Sequence, residues 1–243
     1  MSAQETLTVH DGTTTNSYVP VYGFYADAYL KAEFVISAND LVDMTGGNIT
    51  SMKFYASNSS VSWGASEFQV FLAEVNNETI SAFEGTSNAT VVYNGTLSLT
   101  NNEMVVTFAN GYVYTGGNLL IGFYDTNPDE YESVSWYGET VNGASVQGYS
   151  YSDLASVSPT QRNFIPKTTF TYTPSGTNCY SPNSPAISDI SAYEATLSWT
   201  PRDGQSAWEV CCVSGVFDPD QAPWVSVTDT FYTFTGLNPA TGY

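Results

Sequence analysis

Apolar and polar residues alternate in short runs along most of the chain. Residues 49–55, 67–72, 90–93, 103–108, 118–124, 133–137, 146–151 and 167–172 each follow this pattern and are rich in Val, Ile, Thr, Tyr and Phe. A period of two sends successive side chains to opposite faces, which is the signature of a strand with one buried face. Gly46-Gly47, Asn94-Gly95, Asn110-Gly111, Gly116-Gly117 and Asn142-Gly143 punctuate the runs. Gly accepts positive φ without a Cβ penalty and Asn tolerates it, so these pairs are expected to be turns. No stretch of ten residues keeps a clean 3.6-residue period, and residues 78–83 are expected to form one helical turn. Short strands spaced by about 8–12 residues predict an all-β sandwich or barrel.

The alternation stops in residues 173–185, where three prolines stand among small polar residues. Such composition reads as a linker. Strand patterning resumes at 186–190, 194–199, 208–213 and 229–235. The expected organisation is a sandwich over residues 1–174, a linker over 175–185 and a second β module over 186–243.

Composition narrows the function classes. The chain has 243 residues, 42% of them hydrophobic and 15% aromatic, enough to bury a core. Five Lys and Arg against 24 Asp and Glu give a net charge of −19. Charged residues make up only 12%, so the acidity comes from missing bases on a surface rich in Ser, Thr and Asn. A phosphate backbone finds no cationic footprint here, and an anionic membrane surface would repel the chain. No apolar run is long enough to span a bilayer. The first residues lack the basic and apolar regions of a signal peptide, and Ala3-Gln4-Glu5 would suit a mature end after trimming. The expected compartment is extracellular or cell-surface.

The three cysteines are Cys179, Cys211 and Cys212. Their spacing does not support a zinc site. Cys211 and Cys212 are expected on a strand, pointing to opposite faces, so either one pairs with Cys179 or Cys212 is buried and the others are incidental thiols.

The second module resembles a fibronectin type III domain. The residues that carry the likeness are Ala195-Thr196-Leu197-Ser198-Trp199-Thr200-Pro201, Trp208-Glu209-Val210, and the run Leu237, Pro239, Thr241, Tyr243. The resemblance implies a core Trp199 and a corner Tyr243 whose hydroxyl bonds back to the chain. It also implies a module cut at that tyrosine, with an exposed apolar sheet face. Residues 5–173 are similar to the N-terminal jelly-roll-like modules of Bacteroidetes surface and secreted proteins, in the style of gingipain-type adhesin modules. That likeness rests on Thr13-Thr14-Thr15-Asn16-Ser17-Tyr18-Val19-Pro20, Gly46-Gly47-Asn48-Ile49-Thr50, Asn118-Leu119-Leu120-Ile121-Gly122-Phe123-Tyr124 and Gln161-Arg162-Asn163-Phe164. The expected fold is therefore all-β: a jelly-roll-like sandwich followed by a partial immunoglobulin-like one. What the resemblance implies is a non-catalytic adhesive module.

Candidate chemistry is sparse. His10 is the only histidine and lies in a Val-His-Asp-Gly stretch, expected to be a solvated turn. No nucleophile elbow, zincin or phosphate-loop motif accompanies it. Asp125, Asn127, Asp129 and Glu130 form the densest oxygen-ligand run, and their alternate spacing could place side chains on one side of a loop around calcium. The other reading is a solvated acidic turn. Pro128 restricts Asn127, and the glycine of an EF-hand loop is missing. Trp63, in Ser62-Trp63-Gly64, is the loop aromatic best placed to stack on a sugar ring, while Trp136 patterns as core. Five Asn-x-Ser/Thr sequons, at Asn48, Asn58, Asn77, Asn88 and Asn94, are close to chance in such a composition.

The expected function is an extracellular or cell-surface binding and adhesion module whose partner is a host or microbial surface protein or glycan. The alternatives are a carbohydrate-binding accessory module of a glycan-degrading protein, or the adhesin part of a secreted peptidase. A hydrolase would need a cleft with convergent acids or His10.

Overall fold

The computed structural model describes residues 4–23, 27–58, 60–174, 182–202, 205–215, 218 and 222–243. The chain divides into two compact units, Met1–Asn178 and Cys179–Tyr243. The first holds β1 (Glu5–Val9), β2 (Thr14–Asn16), β3 (Tyr29–Ile36), β4 (Asn48–Tyr55), β5 (Ser60–Ser62), β6 (Glu67–Val75), β7 (Thr90–Gly95) and β8 (Ser98–Thr100). It continues with β9 (Glu103–Val113), β10 (Asn118–Asn127), β11 (Trp136–Glu139), β12 (Ser145–Ser150), β13 (Thr160–Arg162), β14 (Ile165–Pro166) and β15 (Thr168–Thr173). Helical structure among the described residues is limited to two 3-10 turns, Ala38–Asp40 and Val42–Met44. None is long and apolar enough to cross a membrane.

Two six-stranded antiparallel sheets build this unit, in the orders β1-β15-β4-β9-β8-β5 and β13-β12-β3-β10-β6-β7. A small sheet, β14-β11-β2, stands beside them. The fold is thus an all-β sandwich. Its core follows the alternation: Leu30, Ala32, Phe34 and Ile36 of β3 join Ile49, Met52 and Phe54 of β4 and Leu119, Ile121 and Phe123 of β10 in one buried cluster. Phe54 is wedged edge-on between Phe34, at 6.2 Å, and Phe123, at 5.4 Å, so rings of both sheets interlock. Edge-to-face rings at such spacings add to the area they bury.

The second sheet is also apolar on its outer face. Val35, Phe71, Leu120, Tyr124 and Val146 are covered there by Ile80, Phe83 and Ala89 of the β6–β7 connection, and by Leu154. Residues 78–83, expected as a helical turn, form none. Their polar groups are taken by other elements: Ile80 N–H donates to the Gly143 carbonyl at 2.8 Å, Gln161 Nε2 donates to the Ile80 carbonyl at 2.8 Å, and Ser37 donates to Glu78 Oε1 at 3.0 Å. Asn110-Gly111 also departs from expectation, lying inside β9 rather than in a turn. Between the pairs Ile49↔Tyr112 and Ser51↔Thr107 the register shifts, so residues 108–111 bulge opposite Thr50 alone.

The second unit holds β16 (Asn183–Ser188), β17 (Glu194–Thr200), β18 (Trp208–Val210), β19 (Val225–Val227) and β20 (Phe231–Thr235). They form a three-stranded sheet, β16-β17-β20, and a two-stranded one, β18-β19, both antiparallel. β16 begins inside the stretch expected as linker, whose residues 175–181 lie outside the described ones. Trp199 is buried, while Ile187, Ile190, Phe231 and Tyr243 are exposed. The Asn238 N–H donates to the Tyr243 hydroxyl at 2.9 Å, tying that side chain back to the chain.

Candidate functional site

Each place marked by sequence meets a different fate. Trp63 is 0% exposed and offers no ring face to a sugar. It packs against Phe68 at 5.6 Å and Trp136 at 6.5 Å, at one end of the sandwich core. The turn that follows pulls it inward: Gly64 has φ +59, and Ala65 N–H donates to Asp129 Oδ2 at 2.7 Å. A side chain that reads as a loop aromatic is therefore a core residue held by a neighbouring loop. Trp136 is buried as patterned, and its Nε1 donates to the Val21 carbonyl at 2.9 Å.

The acidic run does not gather around one point. The β10–β6 register shifts between Asp125 and Asn127, which breaks the alternation that would align the ligands. Asp125 is buried, with Oδ1 accepting from Asn127 N–H at 3.2 Å and Ser66 beside it. Burial pushes its carboxyl up to about 7, against the lowering effect of those two contacts. Asp129 is spent on the Ala65 turn, and its own N–H donates to Ser66 Oγ at 2.8 Å. Glu130 is exposed. Among the described residues no three His, Cys, Asp or Glu converge to hold a metal ion. Asp125 and Asp129 brace the loop through Asn127, Ser66 and Ala65, while calcium at Asp125, Asn127, Asp129 and Glu130 stays an expectation of the sequence.

His10 is not solvated. Its side chain is 9% exposed, with Nδ1 at 3.1 Å from Glu139 Oε2 and Nε2 at 3.4 Å from Asp40 Oδ2. It joins the end of β1 to β11 and to the first 3-10 turn. Cys211 and Cys212 are half-buried thiols beyond the end of β18, without a disulfide, and burial raises the Cys212 thiol. Cys179 lies outside the described residues.

Two arrangements have no counterpart in sequence motifs. The first is internal. Glu33 of β3 is buried on the outer face of the second sheet, where it accepts from Glu84 N–H at 2.8 Å, from Gly85 N–H at 3.1 Å and from the Tyr124 hydroxyl. Burial raises its carboxyl, and these donors partly offset the rise. Lys31 stands two residues away on the same face, with Nζ 5.2 Å from the Tyr124 ring centroid and 5.5 Å from that of Phe83.

The second lies at the surface. Tyr149 and Tyr151 are 38% and 65% exposed, and their rings meet at 5.8 Å and 79° to form a right-angled corner. β13 pairs only with Ser145, Val146 and Gln147 of β12, so both tyrosines lie past the end of that edge strand. Behind them the rings continue inward, Tyr149 to Tyr22 at 6.0 Å and Tyr22 to Tyr18 at 5.6 Å, and Arg162 stacks on Tyr18 at 3.8 Å. One pleat before Tyr149 stands Gln147, 3% exposed, whose Oε1 is unpartnered. The sequence carried one signal for this corner, a Tyr-Ser-Tyr at the close of an alternating run.

In the second unit Trp199, Trp208 and Trp224 line a groove of about 650 Å³ with Pro182, Pro185 and Leu197. Trp199 and Trp208 meet edge-on at 5.6 Å.

All five basic side chains are engaged. Lys53 pairs with Glu103 at 3.0 Å, Lys167 with Asp11, and Arg202 donates to Asn183 at 3.2 Å, besides the ring contacts of Lys31 and Arg162. No known protein-family model matches this chain, and no curated protein matches it in sequence.

Proposed function

We propose that this chain is a non-catalytic binding and adhesion module of an extracellular or cell-surface protein. The observation that carries the reading is the Tyr149–Tyr151 corner, two exposed rings fixed at the end of a strand of a rigid sandwich. Exposed aromatic side chains on a pre-formed scaffold bury large area at little entropic cost, which is what a recognition surface needs. The polar side chains that bridge chain segments support the same reading. His10, Glu33 and Asp129 each tie one chain segment to another, so the chemistry-bearing side chains serve cohesion. The acidic, Lys-poor surface suits a compartment outside the cell.

The test is surface plasmon resonance of the whole chain over immobilised matrix proteins and neutral and acidic polysaccharides. Chromogenic glycoside and peptide substrates are assayed in parallel. Saturable binding without turnover is the expected result. Turnover of any substrate, or no retention on any surface, overturns the reading.

A further inference from the structure

An Asn-Gly pair carries a reaction of its own. Glycine has no Cβ to shield its backbone nitrogen, so that nitrogen can reach the side-chain carbonyl carbon of the asparagine before it, provided the backbone is free to turn. The chain has three such pairs, Asn94-Gly95, Asn110-Gly111 and Asn142-Gly143. The fold treats them differently.

Two of them are held. Asn94 and Gly95 are ladder partners of Gln69 and Phe68 of β6, and Gln69 Nε2 donates to Asn94 Oδ1 at 3.3 Å. Gly143 is buried, its N–H donates to Asn163 Oδ1 at 2.8 Å, and its carbonyl accepts from Ile80 N–H at 2.8 Å. At Asn94 the amide under attack is tied to a neighbour, and at Gly143 the attacking nitrogen is already engaged.

Asn110-Gly111 is not held in this way. The β4–β9 ladder stops at Ser51↔Thr107 and resumes at Ile49↔Tyr112, so residues 108–111 stand opposite Thr50 alone and cannot all pair with it. Asn110 and Gly111 are both exposed, and among the described residues no side chain bonds to the Asn110 amide. Gly111 has its own reason to be glycine, since a Cβ there would run into the Asn48 side-chain amide. The packing that demands a glycine also leaves no Cβ beside the attacking nitrogen.

We infer that Asn110-Gly111 is a site of spontaneous deamidation, with water as its only co-reactant. The Gly111 nitrogen gives up its proton and bonds to Asn110 Cγ. The Cγ–Nδ2 bond breaks, and the amide nitrogen leaves as ammonia with that proton. Water then opens the five-membered imide at either carbonyl, giving aspartate or isoaspartate, and nothing is oxidised or reduced. Isoaspartate adds one carbon to the main chain, which residues 108–111 take up because they already stand off the ladder. Either product adds a negative charge to a chain at −19.

The experiment ages the whole chain at mildly alkaline pH, folded and in urea. Peptide mapping by mass spectrometry follows each Asn-Gly pair, and electron-based fragmentation tells isoaspartate from aspartate. In the folded chain Asn110 is expected to convert at least about tenfold faster than Asn94 or Asn142, whose reaction must await local opening. In urea the three are expected to convert within about threefold of one another, because the fold no longer distinguishes them. Asn110→Gln leaves Gly111 in place and is expected to abolish conversion at this position without changing the other two. Fresh and aged proteins are expected to melt together. Conversion of Asn110 in the folded chain no faster than that of Asn94 or Asn142 overturns the site. The same rate differences in urea as in the folded chain overturn its origin in the fold. Melting that falls as isoaspartate accumulates overturns the tolerance of the product by the bulge. No ligand takes part, so these outcomes are independent of the binding-module reading.

Discussion

The tip of the Phe71 ring sits over Gly122. The two are paired across β6 and β10, and a Cβ built on Gly122 would come within 2.0 Å of the Phe71 ring. The contact is on the outer face of the second sheet, under the β6–β7 connection, where Phe71 also meets Tyr124 edge-on at 5.0 Å. A glycine inside a strand normally costs stability, and here it makes room for a ring. Gly122→Ala is expected to destabilise the first unit by about 1–3 kcal/mol through overpacking. Pairing it with Phe71→Leu should restore part of the loss. Urea denaturation of the single and double variants measures both.

Glu33 works against the cost of its own burial. Its carboxylate gathers Glu84 N–H, Gly85 N–H and the Tyr124 hydroxyl, so it holds the β6–β7 connection onto the sheet. Removing the acceptor leaves the buried Tyr124 hydroxyl and two part-buried amides unsatisfied, at about 1–3 kcal/mol. Glu33→Ala is expected to speed hydrogen exchange at Glu84 and Gly85 at least tenfold, with little change at the core amides of β4. Exchange measured by mass spectrometry or NMR reads this directly, and uniform protection would show that the connection is held by its apolar contacts alone.

The alternation of apolar residues was enough for the fold class, because period two survives wherever one strand face is dry. It failed where both faces are covered. β3 reads Tyr29-Leu30-Lys31-Ala32-Glu33-Phe34-Val35-Ile36, and its outer positions Lys31, Glu33 and Val35 are hidden by another segment, so the run shows no clean polar face. Asn110-Gly111 misled for a different reason, since the same residues that favour a turn also favour a bulge within a strand. The helical turn at 78–83 was lost to side chains and carbonyls from three other elements, none visible locally.

The site was less legible. Trp63 between Ser62 and Gly64 has the composition of a loop tip, and the turn that buries it is closed by Ser66 and by the distant Asp129. Asp125 lies one residue from a bulge that no spacing rule anticipates. Tyr149 and Tyr151 sit in a run that reads as an ordinary strand. Their exposure depends on where β13 ends, which is a property of the partner strand rather than of their own sequence.

Trp63 anchors one end of the core, between Phe68 and Trp136. Trp63→Ala is expected to cost about 3–5 kcal/mol, the range for truncating a large buried aromatic. Any accompanying loss of polysaccharide retention should then follow the unfolded fraction. Retention measured at a temperature where the variant is fully folded should equal that of wild type. A specific loss there would return Trp63 to the binding surface.

Asp125 gives the clearest pH signature. Burial raises its carboxyl to about 7 in the folded chain, against a usual value of 3.8. Well below pH 4 the group is protonated in both states and costs nothing. Between about 4 and 7 the unfolded chain ionises it while the folded chain keeps the proton, so stability falls as pH rises. Above 7 the folded chain carries a buried carboxylate, and the loss is complete at roughly 4 kcal/mol by linkage. Asp125→Asn keeps the acceptor for the Asn127 N–H and removes the titration. Its advantage over wild type should therefore be near zero at pH 4, grow through pH 5–7 and level off by pH 8. Guanidinium denaturation of both proteins across that range checks it, and a constant difference would show that another group sets the pH dependence.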